Sequence, residues 1–317
     1  LKRFRQSVLG SAIRGKLTEK WRELNPEVKI AEEIVKDLFE KRVNESKTTI
    51  QKKKVEDLYS ERESGDNEIL PGTWQYVFLN KLCDSFQYGT SKKSDKEGKI
   101  PVLRMGNLQN GKIDWKDLVY TSDDEEIRKY CLEDKTVLFN RTNSPELVGK
   151  TSIYEAKKKA IFAGYLIRIN NYNVLDSYYL NYCLNTSYAK EFCYRQKTDG
   201  VSQSNINAQK LGHFEIPFPP IEEQKEIVRQ IEKLFALADK VETHYQKAMD
   251  RMDKLSQSVL AKAFRGELVP QDPNDESAEK LLERIRQEKV LMERELKESR
   301  TRRIRKKAVK KTSRSIK

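Results

Sequence analysis

The chain has 317 residues, 37% hydrophobic and 35% charged, with a formal net charge of +13. No apolar run approaches the ~20 residues of a membrane-spanning helix, and no apolar leader core follows the basic first residues. Cys83, Cys131, Cys183 and Cys193 form no C-x-x-C pair and the only histidines are His213 and His244, which argues against a clustered zinc site and fits a reducing compartment.

Read in chain order, the first signal is a phrase that returns. Residues 6–17 read QSVLGSAIRGKL and residues 257–268 read QSVLAKAFRGEL, with eight of twelve positions identical at an offset of 251. Such register marks an internal duplication with an insertion between the copies. Under the same offset Leu1, Phe4 and Val8 match Met252, Leu255 and Val259, so the sequence is expected to begin inside the last turns of a long helix. A charged helical stretch follows, holding Ile30, Ile34 and Leu38 and then KKKVEDLYSER.

LPGTW at 70–74 is a turn with an aromatic residue at its end. Beyond it lie short apolar runs at 100–105, 136–139 and 165–169, separated by the turn signals QNGK (109–112) and INNYN (169–173). This predicts a mixed α/β domain of roughly 150 residues, a common domain size. LDSYYLNYCLNTSYAKEFC (175–193) is expected to be a helix inside it.

Pro217, Pro219 and Pro220 then introduce a helix from Ile221 to Ala263. Ile227, Ile231, Leu234, Ala238, Val241, Tyr245, Ala248, Met252, Leu255 and Val259 recur at alternating steps of four and three, the a/d seam of a coiled coil. Gly266, Pro270 and Pro273 end it, and SAEKLLERIRQEKVLMEREL reads as a second charged helix. Residues 299–317 hold ten basic residues and no acidic one, so removing them from the +13 leaves +3 on the other 298. Such a tail is expected to be disordered and able to hold phosphates without reading sequence.

Catalytic chemistry is hard to place. The amino-methyltransferase loop D/N-P-P-Y/F is missing, the only Pro-Pro being in FPPI (218–221). Gly149-Lys150-Thr151 lacks the upstream glycine of a phosphate loop, since Ser144 stands there. Neither histidine has an evident triad partner. Three polar stretches do suit nucleic acid: FQYGTSKKS (86–94), FNRTNSPELVGKT (139–151) and KTDGVSQSNIN (197–207). Their hydroxyls and lysines can hold phosphates, while Arg, Asn and Gln can read base edges. Each alone also reads as an ordinary polar loop held by Asx turns.

Together these phrases resemble the specificity subunit of Type I restriction-modification systems. LKRFRQSVLGSAIRGKLTEKWRE is similar to the end of that family's central conserved region, and LPGTWQYVFLNKLC to the start of a target recognition domain. GTSKKSDKEGKIPVLRMGNLQNGKID resembles a recurrent recognition-domain segment. DGVSQSNINAQKLGHFEIPFPPIEEQKEIV resembles the exit into the conserved helix, and AFRGELVPQDPNDESAEKLLERIRQEK the distal conserved region. The family normally carries two recognition domains on a pseudo-symmetric rod of antiparallel helices. Each domain reads half of a split DNA target, and helix length sets the gap. One domain here implies the C-terminal half of such a subunit, or a half-subunit that dimerises; the start inside a helix favours the former.

The resemblance implies an α+β chain, one mixed α/β target recognition domain flanked by long coiled-coil-forming helices. The expected division is 1–69 helical conserved region, 70–219 recognition domain, 220–266 coiled-coil helix, 267–298 C-terminal conserved helical region and 299–317 basic tail. Expected DNA contacts are Tyr88, Thr90, Ser91, Lys92, Lys93, Arg104, Asn107, Asn140, Arg141, Thr142, Asn143, Lys150, Lys197, Gln203 and Asn205. Implied partners are double-stranded DNA, modification (methyltransferase) subunits, restriction subunits and a second copy through the coil, with no membrane, no cofactor, no catalysis of its own and a cytoplasmic setting. The competing expectation is a coiled-coil interaction protein with a nonspecific nucleic-acid-binding tail.

Overall fold

The two copies of the repeated phrase leave their helices by the same turn. In the computed structural model, which describes residues 1–63, 69–200, 203–270, 272 and 274–312 (backbone alone for 302–312), Gly15 and Gly266 have φ of +70° and +73°. The N–H of Gly15 donates to Ala12 and that of Lys16 to Ser11; the N–H of Gly266 donates to Ala263 and that of Glu267 to Lys262. These are the paired bonds of a Schellman stop, and the left-handed residue they require is why glycine stands in both copies. The duplication is therefore structural as well as textual. Pro273, expected to help end the second copy, lies outside the described residues.

The chain divides into two units, Leu1–Thr243 and His244–Lys317. In the first, helices α1 (Lys2–Ala12), α2 (Glu19–Leu24), α3 (Ala31–Glu45) and α4 (Thr49–Ser60) precede the sheets. Strand β1 (Gln75–Phe78) pairs antiparallel with β14 (Glu215–Phe218), Gln75 opposite Phe218, so the start and end of the mixed region meet. The main sheet has six strands in the order β2 (Cys83–Tyr88), β11 (Leu166–Asn171), β7 (Thr136–Asn140), β9 (Thr151–Tyr154), β5 (Gly111–Ile113) and β4 (Leu108–Gln109). Only β5 and β9 run parallel. Asn110 and Gly111 both have positive φ, +53° and +79°, as the type I′ turn of the QNGK hairpin demands.

Successive residues of the central strands serve opposite cores, which explains apolar runs without alternation. Val137, Phe139, Ile167 and Ile169 join the larger core with Val8, Leu9, Ala12, Trp74, Ile227 and Ile231. Leu138 and Leu166 join a second one with Leu103, Leu108, Tyr154 and Phe162. Over this second core lies a sheet of β10 (Ile161–Phe162), β3 (Ile100–Leu103) and β6 (Val119–Thr121), with α5 (Asp124–Tyr130) nearby. The segment expected as one helix at 175–193 is two, α6 (Ser177–Leu184) and α7 (Ser187–Gln196). The break falls at Asn185-Thr186 because the Thr186 hydroxyl accepts from the N–H of Ala189 and caps a new helix.

Helix α9 (Ile221–Phe264) begins where the prolines place it. Within the first unit its seam residues Ile227, Ile231 and Ala238 are buried and Leu234 packs on the core. Further along the same seam Val241, Tyr245, Met252, Leu255 and Val259 are exposed. The expected seam is thus covered over its first half only. In the second unit, α10 (Ala278–Thr312) carries helix into the basic tail that was expected to be disordered. Lys, Arg and Ala are strong helix formers and extend a helix already started at Ala278; residues 313–317 lie outside the described residues.

Among the described residues no helix is long and apolar enough to cross a membrane. Burial pushes the thiols of Cys183 and Cys193 up to about 12 and raises that of Cys83 further, whereas Cys131 is only partly covered. Since the thiolate is the reactive form, Cys131 should be alkylated first at neutral pH in the folded chain. Mass mapping of iodoacetamide adducts checks this, and early labelling of Cys83 would contradict it.

Candidate nucleic-acid interface

A small polar sheet gathers the candidate residues. Strand β13 (Ser204–Asn205) pairs with β12 (Thr198–Asp199) on one side and with β8 (Thr142–Asn143) on the other, Asn205 opposite Thr142. The second and third polar stretches of the sequence are therefore neighbours. The Asn205 amide donates to the Thr142 hydroxyl at 2.8 Å and its Oδ1 accepts from Arg141 Nη2 at 3.2 Å. The first stretch joins through Tyr88, whose ring lies 4.8 Å from the Arg141 guanidinium carbon. The Tyr88 hydroxyl accepts from the N–H of Ala208, which pins the ring. Arg141 thus lies against an aromatic ring with Nη2 on the Asn205 amide, Nη1 3.5 Å from the Gly164 carbonyl and Nε buried, which leaves the remaining Nη hydrogens for a planar acceptor. Gln203 is exposed beside this sheet, and Asn143 spends its Oδ1 on the N–H of Ser144. Val201 and Ser202 of the third stretch lie outside the described residues.

Several expected contacts are corrected by the structure. Asn107 is buried and caps its own turn, accepting from the N–H of Arg104 and donating to the carbonyls of Asp114 and Lys116. Asn140 is fully buried, its Oδ1 accepting from the N–H of Thr142. Thr90 is buried, and its hydroxyl donates to Glu126. Lys92, by contrast, stays exposed at the surface, paired with Asp123 at 2.7 Å and Glu126 at 3.6 Å. The Asp123 hydrogen bond raises the Lys92 ammonium above its usual value, and Lys92 in turn lowers Asp123. Lys197 is nearly covered and paired with Asp199, whose carboxyl is lowered first by Lys197 and then by Ser204. Polar character alone marked Asn107, Asn140, Thr90 and Lys197; their partners lie up to 36 residues away.

Ser91, Lys93 and Arg104 are exposed, and Arg104 donates to the carbonyl of Asp117. Lys150 is partly covered, its Nζ 3.4 Å from Gln109 Oε1. The Gly149-Lys150-Thr151 stretch leads into β9 rather than a helix, and a Cβ on Gly149 would meet Cys193 Sγ at 2.5 Å, so its glycine serves packing. Sequence reading missed Tyr165, half exposed at 49% on the turn between β10 and β11. The signal available was the Gly164-Tyr165 pair between two apolar runs.

A family model described as the Type I restriction modification DNA specificity domain matches residues 71–248. The chain is 30% identical over 303 residues to the Type I restriction enzyme EcoKI specificity subunit of Escherichia coli (strain K12), covering 92% of this chain and 56% of that protein. It is 29% identical to the EcoBI specificity subunit of Escherichia coli, covering 92% and 57%. The chain therefore spans just over half the length of these relatives. A solved chain from work on complex assembly and conformational transition of the type I R-M system overlays with a TM-score of 0.52 at 20% identity, covering 79% of this chain and 60% of that one. That overlay shows a shared fold.

Proposed function

Because this chain belongs to the Type I restriction-modification DNA specificity family, we propose that it reads one half of a bipartite duplex DNA target on behalf of a cytoplasmic modification and restriction complex. The observation that carries this is the meeting of three separate polar stretches at Tyr88, Arg141 and Asn205. A guanidinium set against a ring and steered by the Asn205 amide suits bidentate pairing with guanine, and the exposed Gln203 suits adenine. Ser91, Lys93, Arg104, Thr142, Asn143 and Lys150 supply phosphate and edge contacts around it. The recognition domain is taken as residues 70–219; the matched span, 71–248, runs on into α9.

The chain performs no chemistry of its own in this reading. Methyl transfer belongs to modification subunits and cleavage to restriction subunits, and both would dock on its helical regions. The exposed half of the α9 seam is where a further helix would pair. The basic residues from 299 onward add affinity without choice of sequence.

Selection of randomised duplexes by the chain, alone and with a modification subunit, tests the reading. One short enriched motif supports it; salt-sensitive binding with no motif favours the coiled-coil interaction protein instead. Arg141→Ala should relax one or two positions of the motif, with discrimination there falling by about 1–3 kcal/mol. Deleting 299–317 should weaken binding to all duplexes alike and flatten the salt dependence, by roughly 0.9 in log–log slope for each phosphate no longer neutralised. A deletion that alters the motif would contradict the assignment of sequence choice to the domain.

A further inference from the structure

We propose that Tyr165 is a further specificity residue of this interface, packing its ring against the apolar edge of a target base pair, where thymine carries a methyl group. The inference rests on the DNA-specificity reading above and adds a contact that reading does not contain. The backbone around Tyr165 is tied by four backbone hydrogen bonds. The N–H of Ala163 donates to Leu103, that of Gly164 to Thr90 and that of Leu166 to Ala163, while the carbonyl of Tyr165 accepts from the N–H of Arg141 at 2.9 Å. The turn cannot slide away from the residue that the proposed interface is built around. A base contact by Tyr165 would therefore fall within a step or two of one by Arg141.

The side chain on this rigid turn has no work inside the protein. Other exposed tyrosines of the domain are occupied. The ring of Tyr88 carries Arg141 and its hydroxyl takes an N–H, and the Lys197 ammonium lies over Tyr194. Tyr165 has no ring, ion-pair or side-chain hydrogen-bond partner among the described residues, yet it leaves half its surface in water. It lines an open groove with Arg104, Lys116, Gln203, Asp114 and Asp117. Of the two acids, Asp114 accepts from the N–H of Lys116 through Oδ1, while Arg104 donates to the backbone carbonyl of Asp117 and not to its carboxylate. Two cations, an amide and an unpartnered aromatic ring, set beside two acids, make a surface able to meet phosphate and base edge.

An aromatic side chain offers a large, stiff contact at little entropic cost, and the thymine methyl is the apolar feature a duplex presents at a base edge. The hydroxyl is not needed for that contact, so Tyr165→Phe should keep both motif and affinity. Tyr165→Ala should bind the selected duplex roughly 5- to 150-fold more weakly, the range that one misread base pair gives, with affinity for unselected duplex unchanged. Tyr165→Phe should melt with the parent, while Tyr165→Ala gives up the covered half of the ring, so binding is compared well below its own melting midpoint.

The experiment is duplex selection followed by anisotropy titration on the parent, Arg141→Ala, Tyr165→Ala and Tyr165→Phe side by side. Weaker binding by Tyr165→Ala with retention in Tyr165→Phe supports the proposal. A Tyr165→Ala that matches the parent, while Arg141→Ala loses its motif, overturns the Tyr165 contact and leaves the reading intact. Equal weakening in both tyrosine variants overturns ring packing in favour of a hydroxyl bond. No motif from the parent overturns the reading, and the Tyr165 contact with it.

Discussion

Replacing Glu223 with alanine should destabilise the Leu1–Thr243 unit by about 3–5 kcal/mol, the cost of removing one partner of a buried ion pair. The carboxylate is 1% exposed and accepts three donors. The Thr18 hydroxyl lies at 2.6 Å, the Trp74 indole N–H at 2.8 Å, and the Arg22 guanidinium completes the set. Arg22 also donates to the carbonyl of Gly15, so the network includes the stop of the repeated phrase. The donors arrive from three positions, 205, 201 and 149 residues away. Alanine leaves all three without their acceptor, with the guanidinium in a mostly covered site. Urea unfolding followed by tryptophan fluorescence measures the effect. Trp74→Phe removes one donor only and should cost about 1 kcal/mol for the hydrogen bond plus a packing term. Equal midpoints for Glu223→Ala and the parent would show that water satisfies the three donors as well as the carboxylate does.

Gly89→Ala should cost about 3 kcal/mol or more, at the upper end for forced overpacking. A Cβ there would sit 2.2 Å from the carbonyl oxygen of Phe162 and 2.5 Å from that of Ala163. Both obstacles are backbone, and both belong to the turn that holds Tyr165. The strand end cannot retreat either, because the N–H of Thr90 donates to Phe162 and that of Gly164 to Thr90. Gly106→Ala is the control, since a Cβ there meets nothing within 4 Å. Thermal unfolding should lower the Gly89→Ala midpoint by several degrees, with little change in the control. Coincident melts for the two variants would show that β2 and the β10–β11 turn part without cost.

What could be read in advance was what is local. The duplicated phrase, the a/d seam of α9 and the Asn110-Gly111 turn each announce themselves by a repeat, a period or a backbone requirement. The mixed domain was legible as short apolar runs. Which polar side chains remain available was not. Asn140 and Arg141 are adjacent in sequence, yet one is buried under the sheet and the other sits at its rim. Lys92 and Lys93 are a like pair, yet one is clasped by Asp123 and Glu126. Glu223 reads as a first-turn helix acid until Trp74 and Thr18 close over it. These distinctions are made by tertiary partners, and no window along the chain contains them.

The pairing of β1 with β14 has a consequence for how the molecule is born. Gln75 waits for Phe218, 143 residues later, and Arg5 waits for Asp239, 234 residues away. At roughly 5–20 residues per second of synthesis, β1 stands without its neighbour for about 7–30 s. Throughout that interval Val8, Leu9, Trp74 and Val77, all buried in the finished protein, lack much of the surface they will lie on. Contacts this distant in sequence also make closure slow once the chain is free. The nascent protein therefore passes through a long sticky adolescence, and a ribosome stalled before Phe218 would present a client for chaperones rather than a folded domain.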